Sequence, residues 1–143
     1  MSDRNKALMR RAVEDVWNGK EPAAVEDLVA TDFVIHTPST SEDVRGRDGV
    51  KQFFAALHEA FPDIRFKIED QIAEGDRVVT RWVAHGTHRG HFQGIPATGR
   101  EVRLSGIDID CIAGEKVVEC WTQLDELGLM QQLGVLPEPQ TVG

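Results

Sequence analysis

Apolar and polar positions change rhythm near the middle of the chain: up to Phe61 they recur at the three-to-four spacing of helices, and beyond Pro62 they alternate. In the first half, Leu8, Ala12, Val13, Val16 and Trp17 fall on one stripe of a helix that Ser2 or Asp3 can cap and Asn18-Gly19 stops. A short second helix follows Pro22, with Val25, Leu28 and Val29 inward. "DFVIHTP" then reads as a brief extended segment halted by Pro38, and "STSEDVRG" as a surface loop. The clearest helix starts at Asp48, where "DGVKQFFAALHEAF" places Val50, Phe53, Phe54, Leu57 and Phe61 at helical spacing before Pro62 ends it.

The second half predicts strands. "IRFKI" alternates, "EGD" turns, and "RVVTRWVAHGTH" supplies a long strand. The Gly/Pro-rich loop "RGHFQGIPATG" leads to "REVRLSGIDIDCI", a turn at Ala113-Gly114 to "KVVECWTQLD", and "ELGLMQQLGVLP" forms a short closing helix. Three helices followed by a run of antiparallel strands imply an α+β fold: a curved antiparallel sheet with N-terminal helices, forming a cone or α+β barrel around a pocket. A hollow of that size suits a small molecule. With no linker, repeat or low-complexity tract, residues 1–143 are expected to form a single domain.

Composition adds exclusions. The 41% hydrophobic and 28% charged content is ordinary for a globular protein, and a formal charge of −8 from 16 basic and 24 acidic residues argues against nucleic-acid binding. The sequence has no apolar run near the ~18 residues a membrane span requires and no apolar signal core after "MSDRNKALMRR", so no membrane association and a cytoplasmic location are expected. Cys111 and Cys120 flank the last turn, where the expected register sets them several residues apart on paired strands. At ~3.3 Å per residue that is beyond disulfide reach, and both are expected to be reduced core thiols.

"HGTHRGHFQG" spaces three histidines by three residues, but its glycines disfavour a helix and strand alternation sends His85 and His91 one way and His88 the other. No zinc-type spacing accompanies them, so they read as imidazoles at a strand end or loop mouth, and no metal is expected. The most informative stretch is "SGIDIDCI". Asp108 and Asp110 share one strand face with Leu104 and Gly106. That face either meets water or lines a polar cavity, where desolvation and mutual repulsion raise one carboxyl pKa toward catalytic usefulness. Asp108 lies deeper; Asp110, nearer the turn, is the more readily solvated. On the next strand Cys120, Thr122 and Leu124 share a face, opposite Glu119, Trp121 and Gln123, with Trp121 a packing or dimer residue. Trp82 has the parity of Thr80 and His88, making an aromatic wall with a polar handle or a piece of core. His36 points into the cavity from the helical side or occupies a surface turn.

The segment from "FPDIRFKI" at Phe61 to "LGLMQQLG" at Gly134, with "GTH" and "GIPATG" between, resembles the SnoaL-like polyketide cyclases, often labelled ester cyclases, of the nuclear-transport-factor-two-like superfamily. The helical part is similar more loosely. The resemblance implies an α+β cone, a homodimer through the sheet, and a pocket without metal or organic cofactor. It also implies intramolecular aldol condensation of a polyketide ester, which needs a base, enolate stabilisation and a proton for the alkoxide. The cyclases carry an Asp after the Trp of the last strand and a facing His on the neighbouring strand; here Thr122 follows Trp121, and Asp108 stands where the His would. Hydroxylases, isomerases and epoxide hydrolases use the same cone, so hydroxylation or epoxide hydrolysis is a second expectation and a non-catalytic ligand-binding dimer a third. The expected catalytic residues are Asp108, Asp110 and His36, and the expected substrate-binding residues Trp82, His88, Phe54 and Thr122.

Overall fold

The computed structural model describes residues 2–137. Helix α1 (Ser2–Ala12) continues as a wider π turn, Val13–Trp17, before Asn18 and Gly19 end it. The widened turn, marked by Asn18 N donating to Val13 O at 2.8 Å, brings Val13 and Val16 inward and lets Trp17 reach the interior. Ser2 and Asp3 lie within the first helical turn rather than ahead of it. Asn18 then fastens α1 to the sheet, its side-chain amide pairing with the backbone N and O of Phe66 at 2.6 and 3.0 Å.

A 3-10 turn at Pro22–Ala24 leads into α2 (Val25–Leu28), then β1 (Val29–His36) and the short β2 (Val44–Arg45). Helix α3 (Gly46–Ala60) buries Val50, Phe54 and Ala60, with Phe61 and Pro62 closing it as the sequence implies. The remaining strands are β3 (Arg65–Glu74), β4 (Arg77–Thr87), β5 (Glu101–Ala113) and β6 (Lys116–Leu124), followed by α4 (Glu126–Gln132). Asp125 caps α4, accepting from Gly128 N.

One six-stranded sheet runs in the order β2-β1-β6-β5-β4-β3. The fold is α+β with helices against one concave face, as expected, but the sheet is mixed. Strand β1 is a full eight residues and joins β6 in parallel, because the chain returns to the far side of the sheet through α3. The last hairpin also differs from expectation. Its turn residues are Gly114 and Glu115, both at positive φ (58° and 61°), one position beyond the expected pair. Together with a bulge at Cys111/Ile112, this turn sets Cys120 opposite Asp110 and Cys111 opposite Glu119. The two cysteines are therefore one register position apart, not several. They remain free because they occupy opposite faces, Cys120 buried inside and Cys111 half-buried outside.

Two apolar groups fill the concavity. Met9, Val25, Leu28, Phe33, Val78 and Val117 pack under α1 to α3, while Phe61, Phe66, Trp82, Val102, Leu129 and Leu133 pack at the other end under α4. No helix among the described residues is long and apolar enough to cross a membrane.

Candidate active site

Between α1, α3 and the concave face lies a cavity of about 640 Å³, within the range of small-ligand sites. Its walls are aromatic: Trp17 stacks on Phe54 at 6.1 Å, meets Phe66 edge-on at 5.5 Å, and Phe66 meets Trp82 at 5.2 Å. Exposed residues of two loops, 37–43 and 91–93, form its open end, where Gln93 donates a side-chain hydrogen bond to Ser39 O at 3.2 Å.

The polar residues of this interior gather on three adjacent strands. Register aligns Thr80, Asp108 and Thr122 in one row and Val78, Asp110 and Cys120 in the next, all on the concave face. Asp108 Oδ1 accepts hydrogen bonds from Trp82 Nε1 at 2.9 Å and from the Thr122 hydroxyl, whereas Oδ2 meets only the Cys120 thiol at 3.7 Å. Trp82 reaches Asp108 because its register partner is Gly106: a Cβ there would collide with the indole and stand 2.8 Å from Gln123 O.

Burial pushes the Asp108 carboxyl up to about 6, against the lowering effect of its Thr122, Trp82 and Cys120 donors. Asp110 is raised well above the ordinary carboxylate value, first by burial and then by the charge of Asp108. Burial likewise pushes the Cys120 thiol up. Asp108, Asp110 and Cys120 offer three polar atoms within 4.8 Å of one another. Among the described residues, Asp110 Oδ2, Thr80 Oγ1 and His88 Nε2 are buried without a hydrogen-bond partner.

The structure brings together Asp108, Asp110, Trp82, Thr122 and Phe54 around this cavity. Proximity to the turn does not wet Asp110, which at 1% exposure is slightly more buried than Asp108 at 2%. His36 is elsewhere. On β1 the inward positions are Phe33 and Ile35, so His36 points out of the convex face, between Asp43 (3.0 Å) and Glu119 (2.6 Å) and stacked on Trp121. The Glu119 hydrogen bond, followed by Asp43, holds its pKa above the usual histidine value. His88 lies beyond the end of β4, buried against Phe61 with Nδ1 3.0 Å from Thr98 Oγ1, and outside the cavity lining. His85 and His91 are exposed, so the three histidines do not converge. Cys120 and Trp17 were not among the expected site residues. The hairpin register would have revealed Cys120, whereas nothing local marks the π turn that admits Trp17.

The chain is similar over 98% of its length to AclR of Streptomyces galilaeus, assigned as a hydroxylase, with 28% identity, a TM-score of 0.84 and 87% of that chain covered. It is similar over 91% of its length to IdmH of Streptomyces antibioticus, assigned as a polyketide cyclase, with 31% identity, a TM-score of 0.80 and 98% of that chain covered. A protein of Jannaschia sp. CCS1 assigned as a SnoaL-like polyketide cyclase shares the fold at 24% identity and a TM-score of 0.86, with 95% of each chain covered. No curated protein sequence matches the chain. The model of one family matches residues 7–133, spanning both the helices that wall the cavity and the strands that carry its carboxyls, and the chain belongs to that family, the SnoaL-like polyketide cyclases.

Proposed function

We propose that the protein is a cofactor-independent enzyme that uses Asp108 as general acid/base in aldol-type chemistry on a small polycyclic or polyketide substrate. The observation that carries this reading is the division of labour within one carboxyl group. Oδ1 is held by two strong donors, Oδ2 has only a weak thiol contact, and the residue lines an aromatic-walled hollow. A carboxylate with a pKa about 6 is mostly ionised at neutral pH yet basic enough to take a proton activated by adjacent carbonyls. The same group, once protonated, returns the proton to the alkoxide formed on ring closure. Thr122 takes no proton itself; it fixes the carboxylate and tunes its basicity. Asp110 and the walls formed by Trp82 and Phe54 complete the site, while His36 and His88 are left without a direct part in it.

The test is exchange of an acidic carbon-bound hydrogen of a 1,3-dicarbonyl polyketide analogue in deuterated water, followed by NMR. The wild type is expected to accelerate exchange and Asp108→Asn to abolish that acceleration; equal rates would remove Asp108 from the chemistry. Thr122 in place of the cyclase Asp, and the likeness to AclR, favour hydroxylation as the second reading. Incorporation of oxygen from labelled dioxygen into product would select it.

The proposed assembly is a homodimer through the convex face. There Ile72, Val79, Ile109 and Trp121 form one cross-strand row over four strands, with Ile72, Ile109 and Trp121 exposed. The free thiols Cys111 and Cys120 fit a reducing compartment, in keeping with the cytoplasmic location expected from the sequence.

A further inference from the structure

Asp110 lines the same cavity as Asp108 but takes no proton from the substrate in the proposed reaction. One of its oxygens has no hydrogen-bond partner among the described residues, and no cation contributes to its electrostatics. An ionised carboxylate so placed would be unfavourable, because no counter-charge, and no donor stronger than the Cys120 thiol, replaces the lost water. Its register partner Cys120 donates to Asp108 Oδ2 at 3.7 Å, and the same sulfur lies within 4.8 Å of an Asp110 carboxyl oxygen. A thiol carries one hydrogen to donate and a sulfur that accepts. The ionised member of the pair is identified by its donors: Asp108 receives the Trp82 and Thr122 hydrogens, whereas Asp110 receives neither.

We infer that Asp110, Cys120 and Asp108 form a directional hydrogen-bond relay whose two carboxyls hold a single proton between them, in which neutral Asp110 donates its O–H to the Cys120 sulfur and the Cys120 S–H donates to Asp108 Oδ2. The inference rests on Asp108 being the reacting carboxylate and deepens that reading. Asp110 and Cys120 are positioning residues. Through the relay they orient Oδ2 and supply its one internal donor, and the neutral state of Asp110 spares Asp108 a second negative charge within 4.8 Å. No bond to carbon forms or breaks in the relay, and its proton stays on Asp110. A divalent metal on the same three groups is the competing arrangement. It would require both carboxyls and the thiol to be deprotonated, against the direction in which burial moves all three.

Infrared difference spectroscopy of the folded, ligand-free protein at pH 8 tests this without reference to turnover. The wild type is expected to show a carboxylic-acid C=O band that persists in Asp108→Asn and is lost in Asp110→Asn. In a Cys111→Ser background, the remaining S–H stretch should move to the frequency of a more weakly bonded thiol when Asp110 is replaced by Asn. Should Asp110→Asn not fold, Cys120→Ser serves, since a hydroxyl acceptor is expected to shift the Asp110 band and an unmoved band overturns the relay. Absence of any acid band at pH 8, its loss in Asp108→Asn, or stabilisation of the wild type but not of Cys120→Ser by Zn²⁺ would each overturn it as well. The two proposals fail separately. A missing acid band leaves Asp108 as an unassisted base, whereas unchanged carbon-acid exchange in Asp108→Asn leaves the relay without an enzymatic purpose. In Cys120→Ala the rate-versus-pH midpoint is expected to move upward from about 6, a shift that a purely structural thiol would not produce.

Discussion

The two faces of the β5–β6 hairpin invert the usual arrangement of an antiparallel sheet. Its concave side buries Asp108, Asp110, Cys120 and Thr122, while its convex side exposes Ile107, Ile109 and Trp121. An ordinary sheet of this kind sends apolar side chains to the core and polar ones to water. Each half of the inversion is unfavourable alone, and each is tolerated for a different reason. Inside, Trp82, Thr122 and Cys120 donate to Asp108, and the proposed protonation of Asp110 removes its charge; outside, the proposed second subunit would cover the isoleucines and the tryptophan. The contrast teaches that under the proposed function one alternating stretch would serve two ends, chemistry on one parity and assembly on the other, which mutations on each face can test separately.

The sharpest break is Asp108→Asn, which keeps the Trp82 and Thr122 hydrogen bonds through its amide oxygen while removing the base. Turnover is expected to fall by about 10²–10⁴-fold at every pH, measured by steady-state kinetics on any substrate the wild type accepts. Next is the penalty of the buried charge. The folded-state value of Asp108 (about 6) lies above the unfolded value of 3.8, so the folded protein binds more protons between them, and stability falls as pH rises through that window. The loss is about 3 kcal/mol by the linkage of 1.36 kcal/mol per pKa unit, and raised Asp110 extends the decline to higher pH. Denaturant melts of wild type and Asp108→Asn at pH 4 and 7 check it: the difference should shrink or reverse in favour of the variant at pH 7.

A smaller effect follows from Thr122→Val. Losing a hydrogen bond to a charged oxygen is worth about 1.5–3 kcal/mol, so the pH midpoint of the reaction should rise by about one to two units. Activity then returns at high pH, unlike in Asp108→Asn. The last test leaves the concave side alone. Ile109→Lys places a charge in the convex row and is expected to give monomers by analytical ultracentrifugation with the Asp108 pH profile unmoved. A shifted profile would show that the two faces are coupled.

Most of the architecture was legible in the pattern of the chain because each element carries its own period. The stripe ending at Trp17, the Phe53-Phe54-Leu57 helix and the alternation after Pro62 all appear in the structure. Parity also placed Asp108 and Asp110 together on one face, and the structure shows that face to be the concave one. Long-range pairing was not legible. Whether β1 runs parallel or antiparallel to β6 depends on where the chain crosses after α3, which no local pattern encodes. His36 shows the same limit, since strand parity alone cannot say which side of β1 is inside. Cys120 fell out of view for a finer reason: a turn displaced by one residue and a bulge moved its partner from the middle of β5 to Asp110.

The bare backbone at Gly106 ties two positions into one heritable unit. Trp82 occupies the space that any side chain at 106 would claim, and that placement delivers the indole hydrogen to Asp108. A methyl group at 106 would displace the indole that supplies this donor, and would still press on the Gln123 carbonyl if the ring at 82 shrank. A residue with no chemistry of its own thus decides whether the acid keeps its indole donor.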